Sequence, residues 1–184
     1  MSSKRSQNKL NRSSRIKKTA NEYIKLLLGT AIQNNVISKS EFKRILLQHN
    51  MAYAEYDVDI VSNPDIYEES GRFISHSKVS TRHKPENPLI EYGFLALKTE
   101  GRVLKHIDVG KAKNIECNGS HPRQGDSEAK ILEKLAEIFV QNSVGIVHLY
   151  TQYEPCLSCD YEIIQFLGMF PQIELIINYD LDYN

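Results

Sequence analysis

The sequence predicts an α/β protein with a helical element ahead of it, and three observations lead there. Residues 16–50 carry apolar side chains at helical spacing. Residues 51–125 break into short β-rich stretches between Pro, Gly and Asn, and after Gly125 the chain alternates helix, strand, helix, strand. Strands joined by a crossover helix pair in parallel, with the helices packed on the sheet, so the C-terminal part sets the class. A chain of 184 residues suits one core plus an appendage. We divide it into a flexible basic tail (1–15), a helical N-terminal element (16–50) and a main domain (51–184).

The tail is rich in Ser, Asn, Lys and Arg and has no apolar period. Order is expected from Arg15. Ile16, Tyr23, Ile24, Leu27, Leu28 and Ala31 form one helical stripe with Gly29 near its end, and Ser40 is the expected N-cap of a second helix carrying Phe42, Ile45 and Leu46. YDVDIV, GRFISHSKVS, YGFLALKT and GRVLKHIDV read as strands. HKPENP and NGSHPRQG read as loops. DSEAKILEKLAEIF and PCLSCDYEIIQFLGMF then read as helices, GIVHLYTQ and IELIINYD as strands.

Composition limits the function classes. With 41% hydrophobic and 25% charged residues the chain is ordinary globular protein. No apolar run approaches the roughly 20 residues of a membrane span, and the N-terminus lacks the apolar stretch of a secretory signal, so a soluble protein is expected. Cys117, Cys156 and Cys159 are too few for a disulfide scaffold and fit a reducing, cytoplasmic compartment. Net charge is zero but uneven: residues 1–50 hold 11 Lys/Arg and 2 acids and sum to +9, leaving −9 for the remainder. That pattern suits a basic arm meeting phosphate, or a solvated helix face.

Chemistry concentrates in two places. Glu128, Leu132, Leu135 and Phe139 share a stripe, so the carboxylate points inward with the core residues. Its plainer reading is an acid favouring the positive end of a helix that Asp126 caps. Pro155 suits the first turn of the next helix, and Cys156 and Cys159 lie one turn apart in line with Ile163, Phe166 and Phe170. The pair reads as metal ligands, as structural cysteines or as a redox pair. Thioredoxin-like redox pairs lie early in their fold, whereas 25 residues follow Cys159 here. Two helices joined by one strand bring Asp126, Cys156 and Cys159 together as three Zn²⁺ ligands, with a fourth position left for water and Glu128 beside it.

Asp126-Ser127-Glu128 followed by T-Q-Y-E-P-C-L-S-C at Thr151 to Cys159 resembles the zinc-dependent nucleoside and nucleic-acid deaminases, whose signature is H-x-E then P-C-x-x-C. The resemblance spans roughly residues 70–180. It extends to the deaminase-like toxin domains of bacterial polymorphic toxin systems, in which D-S-E-x-K-x-L-E precedes G-x-x-x-L-Y-T-x-x-x-P-C-x-S-C. It implies the cytidine deaminase-like three-layer fold: a mixed sheet with helices on both faces, two lead strands, then motif helix, strand, motif helix, strand. The lead strands are expected among 72–80, 92–98 and 102–109. It also implies that Cys156 and Cys159 ligate zinc, that Asp126 replaces the usual His or Cys, and that Glu128 shuttles the proton as water attacks cytosine C4 or adenine C6.

Asp126 departs from the signature. Two thiolates and a carboxylate carry one more negative charge than His/Cys/Cys and weaken the metal as a Lewis acid. His121 and His148 are the histidines that could substitute; the plainer reading makes them, and Cys117, structural. The basic N-terminal segment points to single-stranded DNA or RNA as partner, with Tyr92, Phe94, Tyr150 and Tyr153 as base-stacking candidates or, more plainly, core residues. The competing readings are a deaminase of a free nucleobase, nucleoside or nucleotide, and a non-catalytic zinc-stabilised nucleic-acid-binding module.

Overall fold

The computed structural model of the chain describes residues 15–48, 50–62, 65–79, 88–110, 121–123 and 125–182. Helix α1 (Arg15–Gln33) buries the stripe Ile16, Ala20, Ile24, Leu28 and Ala31, and it runs one turn beyond Gly29. The chain then reverses at Asn35, whose φ of 57° is a left-handed conformation that Asn tolerates. Helix α2 (Lys39–Gln48) begins earlier than expected. Ser38, not Ser40, is its cap: the Glu41 N–H donates to Ser38 Oγ at 3.2 Å and the Ser38 N–H to Glu41 Oε2 at 2.8 Å, a capping box.

Strands β1 (Met51–Ser62) and β2 (Asp65–His76) form a long antiparallel hairpin, and two two-residue strands, β3 (Asp108–Val109) and β4 (His121–Pro122), pair with each other. The chain continues through α3 (Ser127–Ile138), β5 (Val144–Tyr153), α4 (Leu157–Met169) and β6 (Ile173–Leu181). The main sheet has the order β2-β1-β5-β6, with β1 antiparallel to β5 and β5 parallel to β6. It is a mixed sheet. Alternation along β1 divides the core: Ala52, Ala54, Tyr56, Val58 and Ile60 pack with α3 and α4, whereas Met51 and Tyr53 pack with α1. Helices therefore cover both faces.

The lead pair is the hairpin 51–76. Of the stretches expected as strands, 92–98 is not one and 102–109 is strand only at Asp108–Val109: a 3-10 helix spans Pro88–Tyr92, and irregular chain follows up to β3. Their alternation instead divides side chains between the two cores, Phe94 into the α1 side and Leu104 into the α3/α4 side. Side chains bind the backbone there in place of a strand partner. Glu133 accepts from the Val103 and Leu104 N–H groups at 2.7 and 3.0 Å, and Gln165 accepts from the Lys105 N–H at 2.9 Å. Among the described residues, no helix is long and apolar enough to cross a membrane.

Candidate active site and metal-binding group

Two helix N-termini meet at one end of the sheet. Asp126 is the N-cap of α3 and Cys156 the N-cap of α4, yet neither side chain makes a capping hydrogen bond. Pro155 thus lies just ahead of its helix rather than in the first turn. Cys156 Sγ is 3.3 Å from Asp126 Oδ2, Cys159 Sγ is 3.7 Å from the same oxygen, and the two sulfurs are 3.7 Å apart. The three ligand atoms form a candidate metal-binding group. Both backbone carbonyls at the caps are already used inside their helices, by the Lys130 and Asp160 N–H groups. Only the side chains are left to face one another.

Glu128, in the first turn of α3, is 2% exposed. Its Oε1 accepts from Thr151 Oγ1 at 2.6 Å and from Asn50 Nδ2 at 2.7 Å, and its Oε2 accepts from Ser127 Oγ at 3.1 Å. Oε2 also lies 4.0 Å from Cys159 Sγ. The carboxylate thus has one face tied to the protein and the other toward the Asp/Cys/Cys group. Strand β2 is anchored to the same helix end, with Ser75 Oγ donating to the Ser127 carbonyl and Lys130 Nζ to those of His76 and Val79, at 2.6 and 2.8 Å.

The electrostatics are those of too many acids in one place. Burial raises the Asp126 pKa against the Arg123 guanidinium 3.9 Å away, and burial then the Asp126 charge raise that of Glu128. The hydrogen bond to Cys156 and burial push Cys159 well above the ordinary thiol value. Each group is driven toward its protonated form. A bound cation reverses that preference, which is how such a cluster comes to ionise.

The structure brings together Glu128, Asp126, Cys156 and Cys159 as the sequence predicts. It does not bring His148: Leu149 and Thr151 face α3, so by strand alternation His148 lies on the opposite face of β5 and is no substitute ligand. His121 is in β4, with its side chain outside the described residues, as is all of Cys117. Of the stacking candidates, Phe94 and Tyr150 are core, and the Tyr150 hydroxyl donates to Asp180. Tyr92 is partly buried and accepts from Asn34, while Tyr153, half-buried, stands where β5 leaves toward the site. The tail, apart from Arg15 in α1, is outside the described residues. Asn50 was invisible to sequence reasoning, since it lies in neither motif and 78 positions before Glu128.

A buried acid beside a candidate metal-binding group, set where two helices start at one end of a mixed sheet, makes this an α/β site of the deaminase-like class. The model of the toxin-deaminase family, described as the BURPS668_1122 family of deaminases, matches residues 6–180, and the chain belongs to that family. No curated protein matches the chain significantly.

Proposed function

We propose that the protein is a zinc-dependent hydrolytic deaminase that converts cytosine to uracil in single-stranded nucleic acid. The donor set fits the ion. A tetrahedral zinc with Zn–S near 2.3 Å and Zn–O near 2.1 Å needs sulfurs about 3.8 Å apart and sulfur–oxygen separations of about 3.6 Å. The observed 3.7 Å between sulfurs and 3.7 Å from Cys159 Sγ to Asp126 Oδ2 match those values, and the 3.3 Å from Cys156 Sγ is shorter, a thiol hydrogen bond that the ion would open. Asp126, Cys156 and Cys159 are the ligands in this reading. A bound zinc supplies Lewis-acid activation of the attacking water.

The chain's own residues supply the proton path. Glu128 takes a proton from water as its oxygen bonds to C4 and delivers it to the ring nitrogen. It carries the second proton to the exocyclic amine, so that the C4–N bond breaks and ammonia leaves. The observation that carries this reading is the 4.0 Å approach of Glu128 Oε2 to Cys159 Sγ, which puts a buried acid beside the metal-binding group. Support for a polymeric substrate comes from exposed Lys18, Lys25, Lys39, Lys43 and Arg44 along α1 and α2, because α2 leads directly to Asn50 at the site. Three cysteines, too few for a disulfide scaffold, favour a cytoplasmic site of action.

The test is Glu128→Gln. Zinc per chain is expected to stay the same, while cytosine-to-uracil turnover on single-stranded DNA falls by at least about a hundredfold. Parallel assays on RNA and free cytidine identify the substrate class. Absence of uracil from every substrate with the wild-type zinc protein would sink the catalytic reading.

A further inference from the structure

Oε1 of Glu128 is held by two residues that neither motif half assigns a role, and their hydrogen-bond directions can be deduced. The Tyr153 backbone N–H, which can only donate, lies 3.3 Å from one end of the Asn50 amide. That end is therefore Oδ1, and the other, Nδ2, must be the donor 2.7 Å from Glu128 Oε1. Thr151 Oγ1 lies 2.6 Å from the same carboxylate oxygen and 3.1 Å from Asn50 Oδ1; it has one proton, and the shorter approach to a carboxylate gives that proton to Glu128 Oε1. The Asn50 backbone is fixed too, since its carbonyl accepts from the Ser77 N–H at 3.0 Å. Three strand ends, those of β1, β2 and β5, thus lock one carboxylate oxygen.

Oε1 is consequently saturated by two protein donors, and Oε2 is the oxygen turned toward Cys159. We infer that Asn50 and Thr151 are positioning residues that occupy Oε1 of Glu128 so that Oε2 alone faces the reacting water. This rests on the deaminase reading of Glu128. A free glutamate side chain has three rotatable bonds, and a proton shuttle that wanders among rotamers spends little time in line with its water. Holding one oxygen fixes the other. The N-terminal element then belongs to the active site, because Asn50 joins α2 to β1.

The experiment compares Asn50→Ala, Thr151→Val and Thr151→Ser, in the wild-type and Glu128→Gln backgrounds, as full-length zinc-loaded chains on a cytosine-containing single-stranded DNA oligonucleotide. Asn50→Ala and Thr151→Val are expected to lower kcat by roughly ten- to a hundredfold, the range for hydrogen bonds to a charged group, with KM and zinc per chain unchanged. Thr151→Ser, which keeps the hydroxyl, recovers most of the rate lost in Thr151→Val. In the Glu128→Gln background neither substitution is expected to slow the residual turnover further.

A readout without catalysis accompanies it. In metal-free protein the Asn50 side-chain amide protons are expected to resonate downfield and to move upfield on Glu128→Gln. A loss confined to KM, a further loss in the Glu128→Gln background, or Asn50 amide resonances indifferent to Glu128→Gln would overturn the inference. Full activity of Asn50→Ala and Thr151→Val beside an inactive Glu128→Gln overturns it and leaves the deaminase reading standing. An active Glu128→Gln overturns both.

Discussion

Asp126 and Cys156 occupy the same position, the N-cap, on two different helices, and each turns away from its own helix to meet the other at 3.3 Å. An aspartate that caps its helix contributes about 1 kcal/mol, so α3 forgoes that contribution to assemble the group. Asp126→Ser separates the two roles. A serine there can cap α3 and removes the acid that raises the Glu128 pKa. The metal-free variant is expected to be more stable than metal-free wild type by about 1 kcal/mol, while it binds markedly less zinc. Urea unfolding of chelator-treated protein and zinc per chain check the two halves.

Zinc binding should release protons. Cys159, held protonated by its hydrogen bond to Cys156 and by burial, must lose its proton to become a ligand. Titration calorimetry near pH 7 in buffers of different ionisation enthalpy is expected to show at least about one proton released per zinc. The same zinc should raise Tm, because it binds the folded chain and not the unfolded one. A heat of binding indifferent to the buffer would contradict the protonated thiol.

The parts of the fold legible in the sequence are those where a single period governs. The stripe Glu128, Leu132, Leu135 and Phe139 on α3 and the run of Cys159, Ile163 and Phe166 on α4 are each buried, and their order fixed the parallel β5–β6 pair. Residues 92–109 misled because alternation is also how an irregular segment serves two cores, and the carboxylate of Glu133 and the amide of Gln165 stand in for the missing ladder. The first halves of β1 and β2 escaped notice. In β2, Glu68 and Glu69 dilute the apolar pattern, and in β1 the opening Met51-Ala52-Tyr53-Ala54 has no polar alternation to mark a strand. Asn50 could not be found at all, since a residue that acts by hydrogen bonding to Glu128 leaves no local pattern.

Gly145, which opens the G-x-x-x-L-Y-T stretch, is required by an approach of backbones. A Cβ there would stand 2.3 Å from the Asp57 carbonyl oxygen and 2.7 Å from the Val58 Cα, so β1 would have to move away from β5. Its φ of 156° adds strain for a residue with a side chain. Gly145→Ala is therefore expected to destabilise the protein by about 2 kcal/mol or more, measured by urea unfolding. Gly168 makes the control: a Cβ there meets nothing within 4 Å, and α4 is a helix, so Gly168→Ala should be neutral or stabilising.

One arginine serves two carboxylates on the α3/α4 side. Arg102 Nη2 lies 3.3 Å from both oxygens of Glu162, and its Nε lies 3.6 Å from Glu133 Oε2. Glu162 is 0% exposed, and burial, opposed by Arg102, raises its pKa to about 8. Since that exceeds the ordinary carboxyl value of 4.5, the folded chain holds a proton in the interval that the unfolded chain has released. Stability from this group is complete below about pH 4.5 and is lost as pH rises through about 8, on the order of 1 kcal/mol per pH unit. Glu162→Gln, neutral at every pH, removes the slope. The stability of metal-free wild type relative to Glu162→Gln is expected to fall between about pH 5 and pH 8 and then to level off. A difference that is flat across that range would show that Arg102 keeps Glu162 ionised throughout.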